Sequence, residues 1–100
     1  MNNIDVLKIY LIGDSDFTDT DYACFLEENR LDPYAKHDDD DRKEIIETAL
    51  DVLLVIKDFP QNINNKAIGD RIDLYRKELK IIEEENEKES NAMGYLFYNQ

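Results

Sequence analysis

The chain reads as an all-α protein, a small four-helix bundle-like domain with an extended C-terminal segment. Three observations lead there. Apolar residues recur at three- and four-residue spacing in four separate runs. Helix-stopping residues separate those runs: Gly13, Asp32-Pro33 and Phe59-Pro60. Acidic residues and Thr18 stand where helix N-termini need acceptors. One hundred residues suit one domain with a small core.

The first run covers residues 3–12. Ile4, Leu7 and Leu11 fall on one helical face, and Gly13 suits the position just past the end. Val6, Ile9 and Ile12 widen the apolar surface, which leaves a strand as the alternative for this short run.

The next stretch, LIGDSDFTDTDY, crowds four aspartates into residues 14–21. It is not an EF-hand loop. Counting from Asp16 puts Asp21 at the sixth position, where glycine is needed; counting from Asp14 puts Phe25 at the twelfth. Helix capping accounts for the aspartates better. Thr18 and Asp21 form the T-x-x-D pattern of a capping box, and Phe17 is placed to staple against Tyr22. Tyr22, Phe25 and Leu26 make one face of this second helix, which fades at Asn29.

Residues 33–38 read as a loop, and Asp38–Asp41 as the acidic start of the third helix. From Ile45 to Ile56 the apolar pattern is broad. Ile45, Ala49, Val52, Leu53 and Ile56 form one stripe, and Ile46, Leu50 and Leu54 an adjacent one. A helix apolar over that width is central, touched on more than one side. The last helix is expected from about residue 66 or 70 to about 90, with Ile68, Ile72, Tyr75, Leu79 and Ile82 as its seam. Gly69 weakens its first turn, and Asp73–Lys77 and Lys80–Glu84 are expected i,i+4 pairs. Residues 1–92 then make the helical domain. Residues 93–100 make an extended aromatic tail in which Tyr95, Leu96, Phe97 and Tyr98 dock on a partner, a neighbouring subunit or the bundle itself.

The formal charge is -12, and residues 1–41 carry 12 acids against 3 bases. That balance opposes non-specific nucleic-acid binding and docking on anionic lipid. No apolar run reaches membrane-spanning length, and MNNIDVLKIYLIGDSD lacks the basic start of a secretory signal. Cys24 and His37 are single, so no zinc set is expected, and no cofactor motif is present. No nucleophile–base pattern stands out, and no enzymatic activity is expected.

The order of pieces resembles the head–tail connector proteins of tailed bacteriophages, also called adaptor or head-completion proteins. The matching stretches are VLKIYLIGDSD, FTDTDYACFLEEN, ETALDVLLVIKDF and AIGDRIDLYRKELK, over about residues 5–80. The central helix departs from that pattern by carrying Leu, Val and Ile where relatives are rich in alanine. DPYAKHDDDD and YLFY match no part of it. The resemblance implies a structural virion protein at the head–tail interface, made in the bacterial host cytoplasm. It implies a homo-oligomer, commonly a dodecameric ring, beneath the portal protein. The ring lengthens the DNA channel and receives a head-closure or tail protein. DNA would pass without specific binding. Asp38, Asp39, Asp40, Asp41, Glu83, Glu84 and Glu85 are the candidate channel-lining acids. Arg71, Arg76, Lys77 and Lys80 are a candidate inter-subunit basic patch. Two other readings compete: a small acidic inhibitor that mimics nucleic acid in the cleft of a host enzyme, and an intracellular helical adaptor or regulator.

Overall fold

The computed structural model describes residues 1–11, 17–59 and 65–98, with the side chains of residues 65 and 88–98 left out of the description. Among the described residues there are four α-helices: α1 (Asn3–Leu11), α2 (Asp19–Glu28), α3 (Arg42–Ile56) and α4 (Asn65–Tyr98). A short 3-10 turn, Asp39–Asp41, leads into α3. The all-α reading holds.

Helix α3 is the hub. It packs against α1, α2 and α4, which explains an apolar surface too wide for one partner. Ile45, Ile46, Ala49, Val52, Leu53 and Ile56 are buried. Ile4, Leu7 and Leu11 meet them from α1, Tyr22, Ala23 and Leu26 from α2, and Ile68, Ile72 and Tyr75 from α4. Leu79 and Ile82 pack more loosely on the edge of this core.

Local chemistry sets the helix ends. Thr18 Oγ1 accepts from the Asp21 amide at 3.3 Å, and the Asp21 carboxylate accepts from the Thr18 amide at 2.9 Å. This is the expected capping box. The Phe17 ring lies edge-on to Tyr22 at 6.1 Å between centroids, and also meets Phe25 and Phe59, so it staples α2 to the end of α3. Gly13 lies outside the described residues.

Helix α4 takes the earlier of its two expected starts. Its backbone is helical from Asn65, so Gly69 sits inside the helix, where a Cβ would meet nothing within 4 Å. At the other end, the extended segment expected from residue 93 is instead helical backbone to Tyr98. A single glycine costs a helix only about 1 kcal/mol, and no proline follows to enforce a stop. At about 1.5 Å per residue α4 is roughly 51 Å long, and it sets the long dimension of a molecule measuring 59 × 30 × 18 Å. Among the described side chains of α4, core contacts reach Ile82, and residues 83–87 are exposed.

Candidate functional site

The N-terminus of α1 is sewn to the loop after α2. A helix start leaves backbone amides without partners. Here the Asn3 and Ile4 amides donate to the Ala35 and Pro33 carbonyls at 3.1 and 3.2 Å. Asn2 and Asp5 form a second capping box, with bonds of 2.9 and 3.1 Å. The Asn3 side chain, 2% exposed, donates to the Asp32 carbonyl at 2.8 Å, and its Oδ1 lies 2.9 Å from His37 Nδ1. The His37 amide donates to the Met1 carbonyl at 2.9 Å. His37 therefore serves structure here. The N-x-x-D spacing of this second box was present in the sequence, but its loop partners lie about thirty residues away.

The far end of α1 is held by α4. Arg71 donates to the Leu11 carbonyl at 3.1 Å, and Tyr75 donates its hydroxyl to the Tyr10 carbonyl. Burial raises the Tyr75 phenol above its ordinary value, and the nearby Arg71 opposes that shift. A cation at a helix C-terminus also complements the dipole. This placement separates Arg71 from the rest of the expected basic patch. Arg76, Lys77 and Lys80 are exposed, whereas Arg71 is half-buried against α1. The expected Asp73–Lys77 and Lys80–Glu84 pairs are not among the salt bridges of the described residues. Side chains this exposed gain little by holding one geometry.

The acidic candidates occupy two places. Asp38 Oδ1 accepts from the Asp40 amide at 2.9 Å and so caps the 3-10 turn, whereas Asp41, at the start of α3 itself, makes no side-chain cap bond. Asp38, Asp39 and Asp40 remain exposed, and Asp41 is half-buried. Glu83, Glu84 and Glu85 are exposed on α4 beyond the core. Among the described residues no group of three or more acids, histidines or cysteines has metal-holding geometry. The side chains of Tyr95, Leu96, Phe97 and Tyr98, the expected docking residues, lie outside those described.

One feature went unread in the sequence. A groove of about 330 Å³ opens between the end of α2 and α3, lined by Glu28, Asn29, Arg30, Lys43, Glu44 and Glu47. Helix α2 closes in a Schellman motif: the Arg30 amide donates to Glu27 and the Leu31 amide to Leu26, each at 3.0 Å. Arg30 takes the left-handed position, φ 67°, that usually falls to glycine. The Asn29 amide reaches the Phe25 carbonyl at 3.2 Å, and Thr48 Oγ1 and Asp51 Oδ2 at 3.0 Å each. The buried Thr48 hydroxyl donates back to the Glu44 carbonyl at 2.7 Å. Burial pushes the Glu47 carboxyl above its ordinary value. Lys43 at 3.9 Å works against this, and Glu44, Asp51 and Glu83 add to it. Glu44 Oε2 is shielded from solvent with no hydrogen-bond partner. The sequence marks the end of α2 at Asn29, but Thr48 and Asp51, the partners that shape this corner, lie 19 and 22 residues away, and no local pattern announces them.

Among the described residues no helix is long and apolar enough to cross a membrane. Comparison with family models, curated proteins and solved structures finds no match for this chain.

Proposed function

We propose that the chain is a structural subunit of a ring that joins a phage head to its tail, docked beneath the portal and continuing the DNA channel. The observation that carries this reading is the order of elements: a short first helix, a T-x-x-D-capped second, a wide central one and a Tyr-bearing last one, as in the family it resembles. Among the described side chains of α4 the apolar cluster reaches Ile82 and residues 83–87 are exposed, and the YLFY sequence farther on supplies aromatic residues for docking on another chain.

The exposed acids Asp38–Asp40 and Glu83–Glu85 suit a channel wall over which DNA slides without sticking, since like charges repel and no counterions are released. The test is negative-stain microscopy of the protein mixed with portal. Rings on the portal are expected, and deleting residues 94–100 should weaken them while the helical circular dichroism persists. Monomers that ignore the portal end the proposal.

The exposed Asp38–Asp40 run also keeps one competitor in view, an acidic protein that occupies the DNA cleft of a host enzyme. Displacement of DNA from a host nuclease, with no protein in purified virions, would favour it.

A further inference from the structure

We infer that the fold locks His37 with a hydrogen on Nδ1, making a one-way clasp between the N-terminus and the loop after α2 that holds whether or not the imidazole is charged. The clasp is independent of any assembly into rings.

The backbone sets the frame. Asn2 and Lys36 form an isolated antiparallel bridge. On one side of it the Asn3 amide donates to the Ala35 carbonyl, and on the other the His37 amide donates to the Met1 carbonyl. These bonds bring together the side chains of Asn3 and His37, which are 34 positions apart in the chain.

The direction of the clasp follows from which atoms can donate. A backbone carbonyl only accepts. The Asp32 carbonyl, 2.8 Å from the Asn3 side-chain nitrogen, therefore fixes which way that amide points. Turning it over would set two oxygens against each other, and Asn3 is only 2% exposed, so water is not there to relieve them. Oδ1 is left facing His37 Nδ1 at 2.9 Å. An amide oxygen also only accepts, so Nδ1 must carry the hydrogen. The bonds then run one way, from His37 Nδ1 to Asn3 Oδ1 and from Asn3 Nδ2 to the Asp32 carbonyl. Bonds aligned in this manner polarise one another.

Nε2 is left as the basic nitrogen of the imidazole. It makes no hydrogen bond among the described residues, where Glu44 Oε2 is the one buried side-chain atom left without a partner; Nε2 therefore reaches solvent. A proton taken up from water lands on Nε2 and leaves Nδ1–H in place. The bond to Asn3 survives in both states. The charged groups of this junction are the Met1 amino group, Asp5 on α1, Asp32, Lys36 and Asp38 in the loop, and Asp39–Asp41 at the turn. Among the described residues none of them forms a salt bridge with the imidazole. Histidines at joints often serve as acid-sensitive switches. Here the geometry keeps the titrating atom out of the joint.

The experiment is a long-range proton–nitrogen NMR correlation on the labelled full chain, followed through a pH titration. His37 is the single histidine, so its signals need no assignment. Once the imidazole is neutral, Nδ1 should keep the shift of a hydrogen-bearing nitrogen and Nε2 should move to that of a bare one. Free neutral histidine favours the opposite form, so unfolding the same chain in urea should reverse the majority tautomer, as should Asn3→Ala in the folded state. The Asn3 and His37 amides should be equally protected from hydrogen exchange on either side of the titration. A majority of Nε2–H in the folded protein would overturn the lock, and so would an Nδ1–H majority that persists in urea. Loss of amide protection when the imidazole becomes charged would show a clasp that opens with acid, against the inference.

Discussion

Two polar junctions of this small bundle make an instructive pair. At the start of α1, Asn3, Asp32 and His37 close a network in which buried groups find partners and most bonds run to backbone. At the end of α2, Asn29, Thr48 and Asp51 build a comparable network, but it borders an open groove and leaves Glu44 Oε2 without a partner. The first junction is finished; the second is satisfied on one side only. The difference lies in what faces each asparagine. Asn3 meets the backbone of a loop, whose carbonyls are fixed and numerous. Asn29 reaches the Phe25 carbonyl of its own helix but faces α3 across the corner, where its partners are the side chains of Thr48 and Asp51, and the charges on that face bring water and mutual repulsion with them.

The sharpest way to break this contrast is Asn3→Ala. It strips a buried amide and leaves the Asp32 carbonyl and His37 without it. A loss of about 2–3 kcal/mol is expected, read as a lower midpoint in urea denaturation. Asn29→Ala should cost less, about 1 kcal/mol, because the half-exposed Asp51 regains water and Thr48 keeps its bond to Glu44. Equal losses at the two sites would erase the distinction.

Arg30→Gly sharpens the comparison in the opposite direction. Glycine takes the left-handed position without the Cβ clash, so stability should rise by about 1 kcal/mol with an unchanged denaturant slope. A fall would mean that the arginine side chain contributes more than its backbone costs.

The smallest effect is electrostatic. Burial and neighbouring acids raise the folded-state value of Glu47. Such a carboxyl holds its proton more tightly when folded, so its contribution favours folding at pH below its unfolded value and is lost as pH rises through the folded one. At neutral pH Glu47 is then a small liability. Glu47→Gln should stabilise by roughly a few tenths of a kcal/mol there, the effect being limited by solvent screening, and the gain should vanish as pH falls below the carboxylate range. A gain that grows on acidification would reverse the assigned cause.

Much of this was legible in the residues alone. The four helices, the Thr18–Asp21 box, the Phe17 staple and the central place of α3 all follow from interactions spanning one turn or from the width of an apolar stripe. Such features are local, and local spacing is what a sequence displays directly. Other features depended on which surfaces meet. Arg71 and its carbonyl partner are sixty residues apart, and only the packing of α4 beside α1 takes that arginine out of the basic patch. Asn3 finds its loop, Asn29 finds α3 and the groove opens between them for the same reason. The placement of a polar partner depends on interhelical geometry, which the periodicity of one helix does not encode. The helical course of α4 past Gly94 has a local cause instead: one glycine is too weak a signal to end a helix by itself.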